Sequence, residues 1–198
     1  PPAAAPLAIS VGGLHDHNST NDSAYTLYHS TFGRTTLGVQ KPEIIAPSIL
    51  LPAPLLPNTP EAHTAAVLCS LASMDDTLLS SYGKDIVSET GLMDDPETQA
   101  SVGSLRAWVS EAIARHQLIT SQYKVVDGTS FAAPIVTSVV AQMLEISPEL
   151  SPASVKQILL ETASPLPDAP TECQGSGVVQ PKAALDAVRA RMRRNFDV

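Results

Sequence analysis

Cationic residues are scarce in this chain of 198 residues: Lys and Arg number 12 against 20 Asp and Glu, a formal net charge of -8. Phosphate binding needs a basic face, so this balance argues against a nucleic-acid binder. Cysteine is almost missing. Cys69 and Cys173 lie far apart, which leaves no disulfide framework and no CxxC metal pair. No apolar run comes near the roughly 18 residues that mark a membrane-crossing helix, so no membrane span is expected. Charged residues make up only 16% of the chain and aromatics 4%, against about 25% charged in an ordinary globular domain. The apolar 43% is therefore mostly Ala, Leu, Val and Ile. That suits a close-packed helix and sheet interior, not a disordered chain. The length suffices to bury a sizeable core and points to one domain.

The sequence starts at Pro1, in PPAAAPLAIS, with neither an initiator Met nor a basic stretch before an apolar one. It is expected to begin inside a longer protein, and compartment is not legible from this end. Leu7 to Gly12 reads as a buried strand that Gly12 and Gly13 end. His15 to Ser23 is a polar loop, and Glu43 to Ala46 a short strand between Pro42 and Pro47. Pro47, Pro52, Pro54, Pro57 and Pro60 make an extended connector. Helical spacing follows from Glu61 to about Tyr82, with breaks expected at Gly83 and from Gly91 to Pro96. It resumes from Glu97 to Leu118, with Val102, Leu105, Val109, Ala112 and Ile113 on one stripe.

The last third carries the chemistry. Tyr123 to Val126 reads as a strand, Asp127 to Ser130 as a turn, and Phe131 to Ile146 as a helix apolar nearly all round, hence buried. Pro134 is expected in its first turn, where a missing N–H costs little. Ser151-Pro152 opens a second helix with Val155, Ile158 and Leu159 on its apolar face. Gly175 to Val179 reads as a turn and short strand, and Pro181 starts a final amphipathic helix. A Ser at the N-terminus of a buried helix has a backbone N–H free of the helix ladder and aligned with the positive end of the dipole. Such an N–H is a ready donor to a developing oxyanion. Gly128 permits an unusual backbone angle and a close substrate approach. A bare Thr-Ser pair before a helix is far more often a simple cap, so the chemical reading needs the whole string.

That string, Gly128-Thr129-Ser130-Phe131-Ala132-Ala133-Pro134, resembles the nucleophile motif of the subtilisin-like serine proteases, the subtilases. Three further stretches agree in order. Leu7 to Gly13 is similar to the strand that ends in V-G-A. Ser30 to Gly33 resembles an S-x-x-G, and KPEIIAP resembles K-P-D-hydrophobic-hydrophobic-A-P. Glu43 stands for the usual Asp there, and Ser48 for the usual following Gly. The S-P-x-x-V-K helix and G-x-G-V-V match downstream. These motifs span residues 5–50 and 121–188.

The resemblance implies an α/β fold, a three-layer α/β/α sandwich with a mostly parallel sheet, incomplete here and carrying a helical insertion at 61–119. Residues 1–198 would form the C-terminal part of a catalytic domain, with 189–198 as a basic tail. It implies a serine endopeptidase acting on peptide or protein substrates through an acyl-enzyme. Ser130 takes the nucleophile role and its N–H one oxyanion donor, with Gly128, Thr129 and Phe131 flanking the site. The family's D-S/T-G and H-G-T/H-x-V-A motifs do not occur in this sequence. Its oxyanion Asn is expected before Pro1. The chain alone is therefore expected to be inactive, and either to dimerise or to rely on a missing N-terminal half. No cofactor or metal ligand is assigned; calcium is a family property that no residue here can be given.

Three other readings are set beside this one. His15 and His17 flank Asp16, but two histidines without a third positioned ligand read as surface loop, not zinc. A sedolisin-like acid serine peptidase shares G-T-S-x-x-x-P, though not Phe131-Ala132-Ala133. A non-catalytic scaffold would use the insertion, with Trp108, to hold a protein partner.

Overall fold

The computed structural model describes residues 2–92 and 101–196. Strands β1 (Val11–His15), β2 (Thr26–Leu27), β3 (Gly33–Arg34), β4 (Gln40–Lys41), β5 (Ile44–Pro47) and β6 (Leu51–Pro54) come first. Helices α1 (Pro60–Ser73), α2 (Asp76–Thr90) and α3 (Val102–Arg115) follow, then β7 (Tyr123–Val126). Helices α4 (Thr129–Ile146), α5 (Pro152–Thr162), α6 (Thr171–Gln174) and α7 (Pro181–Phe196) complete the chain. The result is a mixed α/β structure with small sheets, in two compact units: residues 1–51 with 127–198, and residues 52–126.

In the first unit β1 is flanked by β2, antiparallel, and β5, parallel, with Val11 opposite Ile44 and Gly13 opposite Ala46. Successive side chains on a strand face opposite ways. Ile44 and Ala46 accordingly join Ala132, Val136, Val139 and Met143 of α4, Val155, Ile158 and Leu159 of α5 and Val188 of α7. Ile45 points to the other side, with Leu14, Leu166 and Val178. Burial on both faces explains why β5 is an unbroken apolar run instead of an alternating one. Among the described residues the expected mostly parallel sheet appears only as the β1–β5 pair and one parallel bridge from Ile45 to Val178.

Several expectations are corrected. The first strand starts at Val11, not Leu7, which is 93% exposed. It runs through Gly12 and Gly13 because both sit where a side chain has no room. A Cβ on Gly12 would lie 2.7 Å from Pro42 Cγ, and one on Gly13 would overlap Ser48 Oγ. These glycines serve close packing, not a turn. Helix α4 is not buried all round: Ala133, Pro134, Thr137, Ser138, Ala141 and Leu144 are exposed. Its length and composition would also fit a membrane span, yet its inner stripe is core. Composition alone could not decide this, since burial is set by β1, β5, α5 and α7, which pack on one side of it. The helix also begins at Thr129, two residues early. Pro134 therefore lies beyond the first turn and withholds an N–H from the Ser130 carbonyl. The expected Gly175–Val179 strand reduces to bridges at Val178. Arg189, Arg191, Arg193 and Arg194 lie in the last turns of α7, a helix end as their spacing suggests, with Arg189 on Asp186 and Arg191 on Glu161.

The segment between α5 and α7 is held by a side chain. Gln174, 2% exposed, accepts from Leu166 N–H at 2.7 Å and donates to the Leu166 and Ala169 carbonyls at 3.0 and 2.7 Å. Replacing it by Leu strands those backbone groups in the interior. Gln174→Leu is expected to cost about 3 kcal/mol in urea denaturation of the full-length protein; an unchanged midpoint would contradict this staple.

In the second unit β6 pairs with β7, and the helices between them pack Leu71 of α1, Leu79 and Val87 of α2 and Leu105 and Val109 of α3 together. The apolar stripe expected on α3 is the one buried. The break expected at Gly83 falls instead at Met74–Asp75, where the Asp75 carboxylate accepts from Leu78 N–H and caps α2. Gly83 is inside α2, because a Cβ there would meet Leu105 Cδ2 at 2.7 Å. Gly91 does end α2, in the left-handed conformation. The rest of the expected Gly91–Pro96 break lies largely outside the described residues. Ser101 and Ser104 exchange side-chain and backbone hydrogen bonds to open α3, while the start expected at Glu97 lies outside the described residues.

Candidate active site

Ser130 is the second residue of an 18-residue helix, and it is exposed. The residue before the helix, Gly128, has φ 131° and ψ 154°, a backbone shape that disfavours any side chain. No side chain caps this end, and Phe131 N–H turns back to the Gly128 carbonyl at 2.9 Å. The Ser130 N–H is thus a first-turn donor without an intrahelical acceptor, at the positive end of the helix dipole. Thr129 and Phe131 are half-buried on either side. Thin residues follow: Ala132 is fully buried against the core, so the helix start can sit close to the sheet.

The turn is fixed by the residues that follow β5. Gly128 N–H donates to the Ser48 carbonyl at 2.7 Å, and the Asp127 carboxylate accepts from Leu50 N–H at 2.7 Å. Ser48 itself is fully buried and tied to β1, its N–H and its hydroxyl both donating to the Leu14 carbonyl at 2.9 and 3.2 Å. Asp127, Leu50 and Ser48 are residues that reading the motif alone passes over. The substitution of Ser48 in KPEIIAPS was the available signal.

At the opposite end of β5 lies a cluster of charges. Glu43 accepts from Lys41 Nζ at 2.9 Å and Ser10 N–H at 3.0 Å, and pairs with Lys156. Lys41 also donates to the Ala8 carbonyl at 2.9 Å and Lys156 to Pro6 at 3.0 Å. Burial alone pushes the Glu43 carboxyl upward. The hydrogen bonds from Lys156, Ser10 and Lys41, with the Lys156 charge, outweigh it and hold the group below its ordinary value. This cluster fastens the chain entering β1.

His15 and His17 stack on each other, ring centroids 3.8 Å apart, with His17 Nε2 3.0 Å from Thr26 Oγ1. His116 caps the C-terminus of α3, where a cation is favoured by the dipole.

A model of the subtilase family matches residues 1–181. The chain belongs to the subtilase family. The matched span takes in the helical unit that the motifs leave out. Among subtilase relatives, serine protease AprX of Bacillus subtilis (strain 168) is 25% identical over 179 residues, which is 90% of this chain and 29% of that protein. Fervidolysin from Fervidobacterium pennivorans, a keratinolytic enzyme related to subtilisin, superposes with a TM-score of 0.52 at 20% identity. That likeness covers 93% of this chain and 20% of fervidolysin, and it speaks for the fold. The chain spans less than a third of the length of either relative.

Proposed function

We propose that this chain is the C-terminal part of a subtilase catalytic domain, and that Ser130 is the nucleophile of a serine endopeptidase. The observation that carries the reading is the placement of an exposed Ser at the N-terminus of α4, where no side chain caps the helix, two residues past the Gly128 that Ser48 holds. In this reading a histidine from the rest of the domain takes the Ser130 hydroxyl proton, and Oγ attacks the carbonyl carbon of a peptide bond. The Ser130 N–H donates to the resulting oxyanion. The amine leaves with the proton from the imidazolium, and water then hydrolyses the ester on Ser130. Gly128 has no side chain to obstruct the substrate, while Thr129 and Phe131 border it.

The complete domain, on this account, is a three-layer α/β/α sandwich whose sheet is mostly parallel. The exposed stripe of α4 at Ala133, Thr137, Ala141 and Leu144 is where its remaining part packs. The acid and base of the triad come from that part, because neither family motif occurs among these 198 residues. Alone, the chain then has no peptidase activity and associates through the uncovered face. Treatment of the full-length protein with a fluorophosphonate tests the nucleophile: covalent labelling with loss of peptidase activity is expected. A full-length protein that stays unlabelled would be a scaffold built on the same fold.

A further inference from the structure

Gly13 and Ser48 share one small space. Ser48 is fully buried, and a Cβ on Gly13 would overlap its Oγ, with Ser48 Cβ only 2.9 Å away. Tyr28 Cβ closes the third side at 2.8 Å from the same point. Gly13 is held there from two directions: its carbonyl accepts from Tyr28 N–H at 3.1 Å, and its N–H donates to Ser30 Oγ at 3.3 Å. The Ser48 side chain therefore fills the volume that Gly13 leaves open, and its hydroxyl is satisfied by Leu14 in the same strand. Ser48 is also the residue whose carbonyl receives Gly128 N–H at 2.7 Å, and Gly128 is the cap from which the Ser130 helix starts.

We propose that Ser48, seated against Gly13, is a positioning residue for the Ser130 turn; the proposal rests on the reading of Ser130 as nucleophile. Packing interiors transmit small displacements instead of absorbing them. A shift of Ser48 moves its carbonyl, and with it the Gly128 N–H and the helix start two residues from Oγ. Shifts of an ångström at a reacting group reduce rates by up to about a hundredfold. The two sites are coupled: Gly13 tolerates no Cβ while Ser48 keeps its side chain, and Ser48 loses its seat when Gly13 is enlarged.

The test is a cycle of Ser48→Gly, Gly13→Ala and the double variant in the full-length protein, at a temperature where far-UV circular dichroism shows the native fold. Ser48→Gly is expected to slow fluorophosphonate labelling of Ser130 about tenfold and to lower kcat by a like factor, with KM within about twofold. Gly13→Ala is expected to lose about a hundredfold, or to melt. In either event the double variant labels at least about tenfold faster, or folds where the single does not, because in contact the two changes are not additive. Wild-type labelling by Ser48→Gly, or an equal Gly13→Ala penalty in both backgrounds, would overturn the proposal. If the wild type never labels at Ser130, the nucleophile reading fails separately. The coupling is then still decided by the melting temperatures of the same four proteins.

Discussion

Ser130→Ala in the full-length protein is expected to lower kcat for peptide hydrolysis about a million-fold, the loss known from removing the nucleophile of subtilisin. The size follows from the division of labour at the site. On the proposed reading, no acyl-enzyme forms without Oγ, and the backbone donor at the start of α4 is left with a carbonyl that nothing attacks. Residual hydrolysis some thousandfold above water is expected from binding and the oxyanion donors alone. The change is also a gentle one for the fold, because Ser130 is exposed and Ala is a good helix former. A variant with unchanged kcat would remove Ser130 from the chemistry.

Glu43→Gln is expected to destabilise the full-length protein by about 3 kcal/mol in urea denaturation at neutral pH. Breaking a buried ion pair on one side leaves its partner charged and uncompensated, which is worse than never having built the pair. Here two ammonium groups depend on one carboxylate whose side chain is only 10% exposed. Its pKa in the folded state lies below the ordinary value, so its contribution is complete above the unfolded pKa of about 4.3. It is lost as pH falls through the folded value. The gap between wild type and variant should therefore begin to narrow as pH falls below the unfolded pKa and go on shrinking toward the folded one. A gap that stays constant with pH would show that shape, not charge, sets the cost.

Local rules carried much of the architecture. Ser151 caps α5 and Pro152 begins it, and Val155, Ile158 and Leu159 are buried as their spacing demands. Leu105 and Val109 face the interior of the helical unit for the same reason. What failed depended on partners distant in sequence. Gly12, Gly13 and Gly83 read as punctuation, yet each is a point of close approach by Pro42, Ser48 or Leu105. Asp75 was the stronger stop and start signal, and its capping power outweighed the glycine. The exposure of one side of α4 could not be read from a helix apolar nearly all round, since burial depends on what is laid against it.

The site was legible in the same uneven way. The Gly128–Pro134 string announced a glycine turn into a helix start, because the motif is local, though the helix begins two residues earlier than the string suggests. The groups that hold the turn were not, since Ser48, Leu50 and Asp127 meet across more than seventy residues of chain. Lys41, Glu43 and Lys156 likewise gather from β4, from the residue before β5 and from α5. A pair of charges inside an apolar stretch was the only hint in KPEIIAP.

Mapping the fluorophosphonate adduct by peptide mass spectrometry on the full-length protein probes the nucleophile assignment most directly. One phosphonylated peptide is expected, containing Val126 to Ala133, with the modification on Ser130 and no adduct in Ser130→Ala. An adduct on another serine, or none in a protein that still cleaves peptides, would contradict the assignment.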